Sequence, residues 1–148
     1  MNIDIIVSEN TIAPAYATKG SAAVDLRAAI DAPVKLYPGF TSEIPTGLKM
    51  AIPDGVAGII LPRSGLGSRE GIVLANLVGL IDSDYRGEIT VTLWNRNSEN
   101  NGRVFLIEPG DKLCQMMFIP HIKVVMTEVE ELPPTTRGSG GHGSTGVK

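Results

Sequence analysis

The sequence predicts a single all-β domain, an antiparallel sandwich or barrel, and three observations carry that reading. Gly and Pro make 27 of 148 residues and fall at regular intervals rather than in clusters. The apolar residues between them alternate with a period of two, and no stretch keeps a convincing 3.6-residue period. Turns are marked at Pro38-Gly39, Pro53-Asp54-Gly55, Asn100-Asn101-Gly102 and Pro109-Gly110-Asp111, where Pro presets φ and Gly accepts positive φ.

Taken in chain order, Ile3, Ile5 and Val7 recur with period two as a first strand, and 56–61 reads as a nearly continuous apolar strand. A short helix is expected over 64–70, after Pro62. Ile89, Val91 and Leu93 alternate with Thr90 and Thr92, so a half-buried strand is expected there, with Trp94 packed in the core or at a subunit contact. Val124 and Met126 alternate with Lys123, Val125 and Thr127, and the Ile and Val content of 121–131 favours strand over helix. Pro133-Pro134 ends that last strand. Residues 1–132 are thus expected to form one β domain, and 133–148 a Gly-rich C-terminal arm with almost nothing to bury.

Composition excludes several classes of function. The formal net charge of −3 argues against nonspecific nucleic-acid binding, which needs a basic face to release counterions. No apolar run approaches the roughly 20 residues needed to span a bilayer, so no membrane partner is expected. Met1-Asn2-Ile3-Asp4 lacks the basic opening and apolar stretch of a secretory signal, and Cys114 stands alone, which together predict a cytoplasmic protein. Two histidines and one cysteine offer no zinc-ligand spacing. Cys114 lies in an apolar run and is expected to be a buried, inert thiol; His121, beside Pro120, is expected to be structural.

Four segments are too polar or too glycine-rich for their surroundings. Asp82, Asp84 and Tyr85 crowd a turn between apolar runs, either as a polar hairpin tip or as a carboxylate that orients a water beside an aromatic wall. Ser64-Gly65 opens the short helix, either as a cap or as N–H donors for an anion. Gln115, within Leu, Met and Phe, either faces solvent or has a specific partner. The arm is either a disordered tail or a phosphate-binding flap; spacing over 138–145 approaches a P-loop, but Ser144 stands where lysine belongs and no helix can follow.

Together these segments resemble the five ordered motifs of the trimeric dUTPase family: AAVDLRAA at 22–29, PRSGLG at 62–67, GLIDSDYRGEI at 79–89, GDKLCQM at 110–116 and RGSGGHGSTG at 137–146. The resemblance spans nearly the whole chain. It implies a jelly-roll β-sandwich assembled as a homotrimer, with each active site taking motifs one, two and four from one subunit, motif three from a second and the arm from a third. The implied reaction is dUTP plus water to dUMP and pyrophosphate, by in-line attack on the α-phosphorus.

Carried over by position, Asp82 matches the catalytic carboxylate that activates the water, and Tyr85 the residue that packs against deoxyribose. Asn76, with backbone groups of the 77–81 turn, Gly79 and Ile81 among them, would read the uracil edge in a hairpin too tight for a 5-methyl group. Arg63, Ser64, Gly65 and Gln115 would meet the phosphates. Arg137, His142, Gly143, Ser144 and Thr145 of the arm would close over the nucleotide. Asp25 matches the carboxylate that holds Mg2+ through water.

His142 stands where the family commonly has a Phe that stacks on uracil, which predicts substrate affinity that depends on pH around 6 to 7 and a flattened KM profile in His142→Phe. Cys114 stands where the family usually has Ala, a change expected to be silent. Two rivals remain on sequence grounds. A dCTP deaminase shares the fold and much of motif three, but needs a glutamate at the position of Thr92. A non-catalytic trimeric binding module has no chemical need for Asp82, Tyr85, Gln115 and Arg137, while a regulatory role in addition to catalysis stays open.

Overall fold

The computed structural model describes residues 1–141, so His142, Gly143, Ser144 and Thr145 lie outside the described residues. Eleven strands are present among the described residues: β1 Asp4–Val7, β2 Val24–Arg27, β3 Val34–Leu36, β4 Thr41–Pro45, β5 Leu48–Ala51, β6 Val56–Pro62, β7 Ile72–Leu74, β8 Gly79–Ile81, β9 Thr90–Asn95, β10 Phe105–Ile107 and β11 Lys112–Pro120. All the strand pairs are antiparallel. A four-stranded sheet runs β2-β11-β6-β8, a three-stranded sheet β4-β9-β7, and β1-β5 and β10-β3 form pairs. The result is the jelly-roll-like β-sandwich that the sequence predicts, with one helical turn at Leu66–Glu70 where a short helix is expected.

Period-two alternation does most of the positioning. In β9, Val91, Leu93 and Asn95 turn inward while Thr90, Thr92 and Trp94 turn out. In β2, Val24 and Leu26 are buried and Asp25 and Arg27 take the opposite face. Leu26, Leu36, Ile44, Leu48, Ile72, Leu93, Ile107 and Met116 meet in one core, each almost wholly removed from water. The buried Asn95 side chain is satisfied: Nδ2 donates to the Leu36 and Arg103 carbonyls, and Oδ1 accepts from the Asn97 N–H and side-chain amide. Turn chemistry works as expected at 53–56, where Gly55 has a φ of +79° and the Val56 N–H donates to Pro53 at 3.2 Å. No described helix is long and apolar enough to cross a membrane.

One expectation is corrected, and of the two places expected for Trp94 the core is excluded while the subunit contact stays open. The last strand ends at Pro120, and 121–131 is not a strand: Val124, Val125 and Met126 are 67, 95 and 89% exposed. β11 is flanked by β2 and β6, and β6 begins at Val56, directly opposite Pro120. Beyond that residue the chain has run past its neighbour, so a sequence with strand propensity finds no partner in its own sheet. Trp94 is not in the core. It is 37% exposed, on the outer face that its place in the β9 alternation dictates.

Candidate active site

A first group of polar side chains gathers where β2, β6 and β11 meet. Gln115 faces Asp25 across β2 and Leu61 across β6. Its Nε2 donates to the Pro62 carbonyl at 3.1 Å, so the glutamine has a specific partner. The Asp25 carboxylate accepts from Lys112 Nζ at 2.6 Å and from Arg63 Nε at 3.2 Å, and Arg63 Nη1 donates to the Lys112 carbonyl at 3.1 Å. Lys112 and Gln115 are three residues apart and would take opposite faces of a regular strand. A break in register between Lys112 and Cys114 brings both to Asp25 while Leu113 and Cys114 are buried in succession. No sequence pattern announced Lys112; only a buried Leu-Cys pair inside a strand could have hinted at the bulge. Ser64 and Gly65 follow directly, and no side-chain capping bond closes the helical turn, which removes the capping role for Ser64. Cys114 is buried and its thiol is pushed up to about 12, first by desolvation and then by the charge of Asp25, as befits an inert thiol.

A second group lies on the loop from β7 to β8, which is not the hairpin expected from sequence: β7 pairs with β9 and β8 with β6, so the loop carries the chain from the three-stranded to the four-stranded sheet. Asn76 is exposed at its tip, and Leu77 takes a φ of 66°, the one non-glycine residue with positive φ among those described. Such a conformation costs a leucine roughly 1 kcal/mol or more, and it is held by hydrogen bonds from the Leu77 N–H to Leu74 and from the Val78 N–H to Asn76, at 3.1 and 2.7 Å. Gly79 packs so closely on Ile60 that a Cβ there would lie 3.1 Å from the isoleucine Cβ. The loop borders a small cavity of about 130 Å³ lined by Asn76, Gly79, Ile81, Ile60 and Thr92 among others. The position where a deaminase needs its glutamate is held by Thr92, which lines this cavity.

Asp82 follows β8 immediately and is exposed, and its carbonyl accepts from the Tyr85 N–H at 3.2 Å. The Tyr85 phenol donates to the Glu88 carbonyl at 2.8 Å, which fixes the ring across the turn. Asp82 also lines a polar cavity of about 530 Å³ shared with Asp54, Asp84, Arg86, His121 and Lys123. Of these, His121 and Lys123 were not expected near the site, because the fold-back of the chain after Pro120 is a tertiary event. Lys123 Nζ bonds Asp54 at 2.6 Å, a fully exposed pair.

Within one chain the end of β8 that leads to Asp82 points away from Arg63. Ile81 lies opposite Gly58, and Arg63 is five residues further along the same strand direction, roughly 17 Å away at about 3.3 Å per residue. Arg137, on the arm, is exposed, and its Nε donates to the nearby Gly140 carbonyl.

A family model described as dUTPase matches residues 9–146. The chain belongs to the dUTPase family. This dUTPase-family chain is 49% identical over 147 residues to the deoxyuridine 5'-triphosphate nucleotidohydrolase of Klebsiella pneumoniae (strain 342), covering 99% of this chain and 94% of that protein. It is 48% identical to the protein of the same name from Neisseria meningitidis serogroup A, with 99% of each covered. Among solved structures, a mutant dUTPase from phage phi11 of S. aureus, described with a structural Mg(II) ion, is similar at a TM-score of 0.80 and 26% identity, covering 88% of this chain and 98% of that one. The Staphylococcus bacteriophage 80alpha dUTPase with dUpNHpp shares the fold at a TM-score of 0.84.

For Mg2+, the dUTPase chain offers one half-buried carboxylate, Asp25, shared between two cations, and no group of three or more His, Cys, Asp or Glu residues among those described that could cage a metal. That donor set suits an ion that keeps most of its waters and draws direct ligands from phosphate oxygens.

Proposed function

We propose that the protein hydrolyses dUTP to dUMP and pyrophosphate at a site shared between subunits of a homotrimer, with Asp82 activating the attacking water. The observation that carries this reading is the β7–β8 loop, which holds Leu77 at positive φ, lines a small cleft with Asn76 and Gly79, and leads through β8 to Asp82 and Tyr85. Asn76 and the loop backbone suit the polar edge of uracil. The close contact of Gly79 on Ile60 leaves no slack, so a 5-methyl group is refused by overpacking rather than by lost contact alone. The Tyr85 ring, tied by its hydroxyl to Glu88, would lie against deoxyribose and exclude a 2′-hydroxyl.

In the proposed reaction Asp82 accepts a proton from a water as its oxygen bonds to the α-phosphorus, and the bond from that phosphorus to the bridging oxygen breaks, so that pyrophosphate leaves. Arg63, Ser64, Gly65 and Gln115 hold the triphosphate in line for that displacement. Bound Mg2+, held through water by Asp25, would neutralise charge on the phosphates. The arm, with Arg137, His142, Gly143, Ser144 and Thr145, would close over the nucleotide. A cytoplasmic setting is supported by the single cysteine.

Two features support shared sites. Asp82 and Arg63 are too far apart within one chain to serve one phosphate group. In addition, Ile122, Val124, Val125, Met126, Val129 and Leu132 are exposed on a segment with no partner strand, a stretch of apolar surface that a neighbouring subunit would cover. Truncation after Pro134 is expected to cut turnover at least about 100-fold, the scale on which lost closure and positioning act, while leaving the thermal transition nearly unchanged. Turnover of dUTP and a melting curve on the same sample check it; unchanged turnover would make the arm a bystander.

A further inference from the structure

Asp25 is the single carboxylate of the phosphate-facing group, and in this state it is fully engaged: Lys112 Nζ holds Oδ2 at 2.6 Å and Arg63 Nε holds Oδ1 at 3.2 Å. Both cations are about one-third exposed and the carboxylate about one-fifth. The three charges therefore lie where solvent screens them less than at an open surface. The two partners differ in what else restrains them. Arg63 is pinned at a second point, by Nη1 on the Lys112 carbonyl, whereas among the described residues Lys112 Nζ is bonded to Asp25 alone. The lysine head is a compact charge on a flexible four-carbon stem and can swing away at small cost.

We propose that Lys112 sets the magnesium requirement of this site by occupying the Asp25 carboxylate until a metal–triphosphate complex displaces it. The inference rests on the function proposed above. A hydrated divalent ion approaching alone meets two positive charges and a carboxylate with both oxygens taken, so free metal binds poorly. The triphosphate reverses that balance. Its negative charge attracts the lysine head, Asp25 is released, and the water shell of the metal can donate to both carboxylate oxygens. Lys112 is a positioning residue in this scheme. It acts through Asp25 and need not touch a reacting atom.

The test is Mn2+ binding to the full-length protein without nucleotide, followed by the free-ion paramagnetic resonance signal, in wild type, Lys112→Met, Lys112→Gln and Lys112→Arg. Met keeps the stem and removes the charge, and Gln is a second neutral variant should Met disturb the fold. Both neutral variants are expected to bind Mn2+ about three- to tenfold more tightly, the range that loss of one half-buried ion pair supplies, with Lys112→Arg at the wild-type value. The Mg2+ concentration for half-maximal dUTP turnover should fall by a similar factor. Unchanged or weaker Mn2+ binding in folded neutral variants, with an active wild type, overturns this inference alone. So does weakened binding of an α,β-imido dUTP analogue in chelator with metal affinity unaltered, because that result would make Lys112 a direct phosphate ligand. A wild type that does not hydrolyse dUTP overturns the underlying reading of function.

Discussion

Replacing Asp82 with asparagine is expected to lower the rate of pyrophosphate release from dUTP by about 10²- to 10⁴-fold, the usual contribution of a positioned general base. Asparagine keeps the size of the side chain and its ability to hydrogen-bond, but it cannot accept the proton that the attacking water gives up. The loss should therefore fall on kcat, with binding of a non-hydrolysable dUTP analogue within a few-fold of wild type. Stability should not change. The Asp82 side chain is exposed, and the local turn is held by its backbone carbonyl, which the substitution retains. Turnover, analogue binding and thermal melting on one preparation separate these effects; a kcat within tenfold of wild type would remove Asp82 from the chemistry.

The second large effect is a gain rather than a loss. Arg63→Ala should also be inactive, because it removes a phosphate-facing guanidinium and leaves Asp25 with Lys112 alone. If each site takes Asp82 from one subunit and Arg63 from another, co-assembly of Asp82→Asn with Arg63→Ala restores some sites to a full complement. In randomly mixed trimers at equal ratio, about a quarter of all sites would combine an intact Arg63 with an intact Asp82. Activity near that fraction of wild type is expected after joint refolding or co-expression, and none after mixing preformed oligomers that do not exchange. A site contained in one chain predicts no recovery at any ratio. The roughly 17 Å between Arg63 and the end of β8 is what makes recovery the expected result.

Much of this was legible before the fold was known, wherever the information was local. The β9 alternation, the turn at Pro53-Asp54-Gly55, the helical turn after Pro62 and the burial of Cys114 all follow from side-chain period, φ preference or composition over a few residues. Arg63, Asp82, Tyr85 and Gln115 sit in segments whose polarity or glycine content conflicts with their neighbours, whereas Asp25 and Asn76 could be named only through the resemblance to the dUTPase motifs. What failed was non-local. Residues 121–131 have the pattern of a strand, yet a strand also needs an open edge beside it, and β6 ends the ladder at Val56. Trp94 has the size of a core residue but the parity of the outer face. Lys112 was missed because a one-residue bulge reverses which face it takes, and Leu77 because positive φ in a leucine is imposed by the loop rather than by the residue.

The most direct test of the central claim is pyrophosphate release measured in parallel from dUTP, dCTP, dTTP and UTP, with Mg2+ and then with chelator, on protein shown to be folded and trimeric. The proposed site predicts rapid release from dUTP alone: dTTP refused by the tight packing of the loop at Gly79, UTP by Tyr85, and dCTP by the amide and backbone groups around Asn76. Chelation should slow the reaction. No release from dUTP under these conditions, or equal release from dUTP and dTTP, would contradict the account.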